Sequence, residues 1–326
     1  MTGDIEIQSK LDISALSNKV RLLKQEIGKV IVGQEHMVDQ ILAAIMANGH
    51  ILIEGVPGIA KTLTAKLVAK CIDAQFSRIQ FTPDLMPSDV TGTTVYNMST
   101  SQFQFNNGPI FANIILIDEI NRAPAKTQAA LFEVMEERQV TADGTTYKMD
   151  LPFLVIATQN PVEHEGTYRL PEAQLDRFFF KIEINYPNLE EEIEILNRNH
   201  ELKGKAETEQ VQKLLDVKEI FMLQSLIKQI SIEPKLREFI AKIVVKTRNN
   251  NSLFLGASPR ASLAMMLGSK AWAAIHGRDY VIPEDIIEVA YPVLRHRIQL
   301  TAEKEMEGAS IDDMIKKIIS GIEIPR

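Results

Sequence analysis

The sequence is short of several things, and each absence closes a route. It has one cysteine, Cys71, in 326 residues, so an internal disulfide and a cysteine-based metal site are excluded. Cys71 falls on an apolar helical stretch and reads as a small core residue. No apolar run approaches the ~18 residues of a membrane span, so no membrane insertion is expected. The opening MTGDIEIQSKLD has no basic start followed by an apolar core. No secretory leader is therefore expected, and the cytoplasm is the expected location. A basic excess is missing too: 36 Lys and Arg face 43 Asp and Glu, a net charge of -7, which argues against non-specific nucleic-acid binding. The six histidines show no H-E-x-x-H or other metal spacing,.

What is present is ordinary for a soluble chain with a sizeable core, at 45% hydrophobic residues,. The length suits two domains of about 150 residues each. Residues 12–45 read as two amphipathic helices broken near IVGQE. From 51 to 187, short apolar runs alternate with helical patterns: ILIE (51–54), FSRIQF (76–81), IILID (114–118), FLVIAT (153–158) and FFKIEI (179–184). That alternation predicts an α/β fold with a five-stranded parallel sheet covered on both faces. Two pieces interrupt it. Residues 94–108 alternate polar with apolar, as a hairpin or insertion would. Residues 139–149 carry Asp143-Gly144 between β-prone arms, a hairpin signal. Beyond Pro187, residues 190–326 read as helices only. The predicted division is 1–188, an αβα domain, and 189–326, a helical domain. The run Arg295-His296-Arg297 reads as a solvated helix end.

Chemistry enters at ILIEGVPGIAKTLTAKLVAKC (51–71). A strand, a Gly/Pro turn and a helix headed by Lys61 and Thr62 nearly spell the phosphate loop G-x-x-x-x-G-K-[ST]. Unpaired amides and the helix dipole would both face an anion there. Lys61 would reach the β- and γ-phosphates, and the Thr62 hydroxyl would ligate Mg²⁺. Ala60 stands where the pattern has glycine. It is tolerable if that residue already has helix-like dihedrals, where alanine is comfortable. The bland alternative is a strand–turn–helix without a ligand. In IILIDE, Asp118 and Glu119 end a buried strand, where ligands sit in open α/β sheets. Asp118 can join the Mg²⁺ shell, and Glu119 can activate a water. A solvated acidic turn would look similar. Asn160 ends the next apolar strand and could orient that water, or simply form a turn with Pro161. Arg177, just before the last strand, suits charge compensation on a transferring phosphoryl group. Arg260, at a helix start, could reach a nucleotide from the second domain. Arg122 and Arg169 are further cations, equally readable as surface ion pairs.

These pieces, in this order, resemble the AAA+ ATPases: Walker A (55–62), Walker B (114–119), sensor 1 (Asn160), arginine finger (Arg177) and sensor 2 (Arg260). GVPGIAKT, DEINRAPAKTQAALFEVMEERQVT and ATQNPVEHEGTYRLPEAQLDRF are similar to the MoxR family, in which alanine before the lysine is usual. Residues 94–108 would then be the helix-2 insert, and 139–149 the pre-sensor-1 hairpin. Both mark a branch shared with magnesium chelatase ATPase subunits, the RavA ATPase and MCM helicases.

The resemblance implies a P-loop AAA+ fold with a C-terminal helical lid, and Mg²⁺-dependent ATP hydrolysis in a homo-oligomeric ring, expected to be a hexamer. ATP and ADP would be held by Gly55, Val56, Pro57, Gly58, Ile59, Ala60, Lys61, Thr62 and Leu63, with Asp118. Val32 and Gly33 would lie by the adenine. Thr62 and Asp118 would hold the metal. Lys61, Glu119, Asn160, Arg177 and Arg260 would serve catalysis, Arg177 in a neighbouring subunit's site and Arg260 within its own. The expected work is chaperone-like remodelling or maturation of partner complexes, with von Willebrand factor A domain proteins as possible partners. A chelatase motor subunit is the alternative. A DNA translocase is a weaker one, because the 139–149 hairpin offers Lys148 against Asp143 and no basic tip.

Overall fold

A computed structural model describes residues 13–56, 59–160, 167–202 and 207–325. Two helices open it, α1 (Ser14–Gly28) and α2 (Glu35–Met46). Then follow β1 (Ile51–Gly55), α3 (Lys61–Cys71), β2 (Phe76–Gln80), α4 (Pro87–Thr91), β3 (Gly92–Asn97), β4 (Gln102–Asn107) and β5 (Ile114–Asp118). A 3₁₀ turn (Ile120–Arg122) leads to α5 (Ala125–Glu137), β6 (Gln139–Ala142), β7 (Thr145–Lys148), β8 (Leu154–Gln159), α6 (Glu172–Leu175) and β9 (Phe180–Ile184).

The five expected strands form one parallel sheet in the order β2-β5-β8-β1-β9. Alternation along each strand splits the core between two faces. Ile114, Leu116, Ile53 and Ile182 face α1–α3, whereas Ile115, Ile117 and Leu52 face α5. Parallel strands buried on both faces need near-continuous apolar sequence, as IILID supplies. The two interruptions are antiparallel hairpins, β3–β4 and β6–β7. Asp143 and Gly144 have φ of 48° and 76°, the left-handed pair that a two-residue hairpin turn requires.

The remaining elements are α7 (Leu189–Leu202), α8 (Val217–Gln229), α9 (Pro234–Arg248), β10 (Leu253–Leu255), α10 (Pro259–Ile275), α11 (Pro283–Leu294), β11 (Gln299–Leu300), α12 (Ala302–Met306) and α13 (Ile311–Ser320). The helices-only reading needs correction: β10 pairs antiparallel with β11. Strands of two and three residues are too short to show a period.

The helical region is not separate from the sheet. Its buried residues join those of α1–α3 and one sheet face in a single apolar core. A methyl on Gly268 of α10 would lie 2.7 Å from Val289 and 3.2 Å from the Phe180 ring. Glycine thus lets α10 seat against β9 and α11.

Candidate active site

The site grows from the C-terminal edge of the sheet. β1 ends at Gly55, where a Cβ would stand 2.7 Å from Ile59 Cδ1 and 3.0 Å from the Ile184 carbonyl. Only glycine allows that close approach. Pro57 and Gly58 lie outside the described residues. Ala60 departs from expectation: its φ is 59° and ψ 17°, left-handed rather than helix-like. A side chain there costs about 1–2 kcal/mol of backbone strain, so this is a glycine-type position filled by alanine. α3 starts at the next residue. Its first side chain, Lys61, turns back and donates to the Gly55 carbonyl at 2.6 Å, which places an ammonium at the loop.

The Thr62 hydroxyl lies 3.5 Å from Asp118 Oδ1. Two oxygens bound at right angles to one Mg²⁺ stand ~3 Å apart, since its bonds are ~2.1 Å. The pair is somewhat wider than that, so Thr62 would ligate a Mg²⁺ and Asp118 would join its shell directly or through a water,. Asp118 is anchored from two sides. Thr158 Oγ1 donates to Oδ1 at 3.3 Å, and Arg78 Nε donates to Oδ2 at 2.6 Å. Glu119 has φ 57° and ψ 52°, so the backbone turns sharply and presents its carboxylate at the strand tip. Gln80 donates to Glu119 Oε2 at 2.7 Å, and Arg122 at 3.0 Å. Thr158 Oγ1 accepts the Glu119 N–H at 3.1 Å, tying the tips of β5 and β8. Asn160, one residue beyond β8, is buried. Arg78 and Gln80 had no part in the motif reading. Their signal was the i, i+2 spacing in FSRIQF, which sets both on one face beside Asp118.

Val32, Ile59, Ala60 and Leu63 line a cavity of about 430 Å³ with Ile31, Tyr186 and Ile195. Apolar walls beside the loop suit a flat base. Gly33 lines the adjoining cavity, which it shares with Val32. Its φ is +70°, and any side chain would overlap Glu191.

The arginines are elsewhere. Arg177 precedes β9, so it stands at the N-terminal edge of the sheet. Its Nε donates to Glu136 Oε2 at 2.7 Å, in the last turn of α5. Arg260 donates to the other oxygen of the same carboxylate, also at 2.7 Å. Strands of five residues hold this edge about 17 Å from the Lys61 edge. Arg260 therefore stands away from its own loop in this arrangement,. Arg169 is an exposed partner of Glu172 at 3.5 Å.

The Arg295-His296-Arg297 run also needs correction. α11 stops at Leu294, and His296 and Arg297 are buried. Arg297 Nε donates to Asp176 at 2.7 Å, and its other nitrogens to the carbonyls of Asp176, Phe178, Phe179 and Val293. Ser258 Oγ donates to the remaining Asp176 oxygen at 3.0 Å. Asp176 thus braces the peptide that carries Arg177 against the helical region.

Residues 50–180 match the ATPase family associated with various cellular activities (AAA), and residues 245–318 match the AAA lid domain. The uncharacterized protein YeaC of Bacillus subtilis is 46% identical over 92% of this chain and 93% of its own. Chaperone MoxR1 of Mycobacterium tuberculosis is 43% identical over 92% and 81%. Protein MoxR of Methylorubrum extorquens is 30% identical over 93% and 94%. A crystal structure from Cytophaga hutchinsonii, 44% identical, superposes with a TM-score of 0.89 over 96% of this chain and 97% of that one.

Proposed function

The chain belongs to the MoxR family of AAA+ ATPases, and from that premise we propose that it hydrolyses ATP at a site completed by a second copy of itself. One observation carries the reading. Lys61, Thr62, Asp118 and Glu119 stand at one edge of the sheet, while Arg177 and Arg260 share a carboxylate at the other. A chain arranged this way offers phosphate-binding groups on one side and charge-compensating groups on the other. Copies placed head to tail in a ring would bring the two together.

Within that site, Lys61 exchanges the Gly55 carbonyl for the β- and γ-phosphates, beside the amides that head α3. Thr62 and, directly or through water, Asp118 would hold Mg²⁺, which would supply neutralisation of phosphate charge. Asn160 positions the water. Glu119 accepts its proton once it leaves Gln80 and Arg122. Arg177 and Arg260 of the adjoining copy meet the charge that develops on the γ-phosphoryl group. The apolar cavity around Val32 and Leu63 takes the adenine. We further propose a hexamer in the cytoplasm, dividing at 188/189, that remodels or matures partner protein complexes, von Willebrand factor A domain proteins among them. A DNA-tracking role is disfavoured by the β6–β7 hairpin, whose Lys148 is offset by Asp143,.

The test is ATP turnover per subunit against protein concentration, for the wild type and Arg177→Ala. Specific activity should rise with concentration. The variant should bind ATP normally yet turn over on the order of a thousandfold more slowly. Flat specific activity with an unaffected variant would overturn the shared site.

A further inference from the structure

We propose that Glu136 is a positioning residue that clamps Arg177 and Arg260 into one aligned pair for the nucleotide of the adjoining copy. The inference rests on the shared-site reading above.

The geometry is specific. Glu136 gives one carboxylate oxygen to each arginine, both at 2.7 Å. It does so in the last turn of α5, where the helix dipole disfavours an anion. The two guanidiniums outweigh that, and hydrogen bonds from Arg177 and then Arg260 hold the Glu136 carboxyl below the usual range. Arg177 is restrained a second time, with its Cζ 5.8 Å from the centre of the Phe132 ring, one turn earlier on the same helix. The bond to Glu136 uses Arg177 Nε. The edge formed by Nη1 and Nη2 is left for another anion, in the fork geometry that suits phosphate.

The clamp also joins parts far apart in sequence. Arg177 belongs to the approach to β9, and Arg260 to the first turn of α10. Ordering two long side chains normally opposes binding. With both already held on one carboxylate, an arriving phosphate meets them in place. α5 also begins just after the 3₁₀ turn whose Arg122 bonds Glu119. A single helix therefore runs from the chain's own candidate base to the pair that faces its neighbour.

The test uses the full-length chain with Glu136→Ala and Glu136→Gln, the second retaining the shape of the side chain. Both should lower kcat about ten- to a hundredfold, as removal of an orienting partner does. KM for ATP should stay within about twofold, because the variant's own loop is intact. The deciding readout is mixing. Glu119→Gln subunits carry a silent site but an intact clamp. Added to Glu136→Ala, they should raise turnover per Glu136→Ala subunit several-fold, since some sites then face an intact pair. Arg177→Ala mixed in the same way is the control. Rescue of Arg177→Ala but not of Glu136→Ala would overturn the positioning role and leave the shared site standing. Rescue of neither would overturn both. Wild-type turnover in the two Glu136 variants would overturn the clamp outright.

Discussion

Acidification should loosen this fold through one histidine. His50 heads β1 and is buried. Both ring nitrogens are engaged: Nδ1 accepts the Val155 N–H at 3.0 Å, and Nε2 faces the Met135 carbonyl at 3.1 Å. That fixes the neutral tautomer with its proton on Nε2. A second proton would set an N–H on Nδ1 against the N–H of Val155. Burial is the main cause that lowers the His50 pKa from 6.5 to about 4, and the nearby Arg138 adds to it. Between those values the unfolded chain binds a proton that the folded chain refuses. Stability is therefore full above pH 6.5 and falls as the pH drops toward 4. At pH 5 the loss from His50 alone is about 2 kcal/mol. With an unfolding entropy of ~2.1 cal/mol/K per residue, that is a fall of about 3 °C in Tm from pH 7.5 to pH 5. The assay is thermal unfolding at both pH values and one scan rate, for the wild type and His50→Gln. His296, also buried and held well below its usual range by burial and by Arg297, acts in the same direction in both proteins and cancels. The wild type should lose about 3 °C more than the variant between the two pH values. Equal losses would refute the argument.

Two further outcomes are expected. Arg297→Met leaves Asp176 and several carbonyl oxygens without their buried donor, which should cost about 3–5 kcal/mol; denaturant unfolding beside Asp176→Asn and the double variant measures it, and the double variant should recover part of the loss. Ala60→Gly relieves the left-handed alanine but loosens the unfolded chain by about 0.4–1 kcal/mol, so stability should stay level or rise by up to about 1.5 kcal/mol with turnover retained; a drop of several kcal/mol would mean that packing of the Ala60 methyl against the core outweighs the strain.

Much of the sheet was legible because its signals are local. Apolar runs of about five residues, 20 to 40 apart, dictate parallel strands. Asp143-Gly144 dictates its turn from two side chains alone. The tips of β1, β5 and β8 could be read because ligand-facing residues cluster where such strands end. What escaped was the choice of polar partners. Nothing near Glu136 in sequence says that two arginines 41 and 124 residues later will share it. Arg295-His296-Arg297 looks solvated because three polar residues follow a helix, and only packing against 176–179 buries two of them. Ala60 was misjudged for another reason. Propensity describes what alanine prefers, whereas here the loop's closure between Gly55 and Lys61 sets the dihedral and alanine bears the strain.

The single core uniting α1–α3, the sheet and the helical region has a consequence during synthesis. When β9 leaves the ribosome, the face carrying Ile53, Phe180 and Ile182 still lacks α10 and α11, the helices that will cover part of it. Roughly a hundred more residues must be translated first, some 5 to 20 seconds at about 5–20 residues per second. For that interval the nascent chain presents a sticky, half-clothed sheet to everything around it.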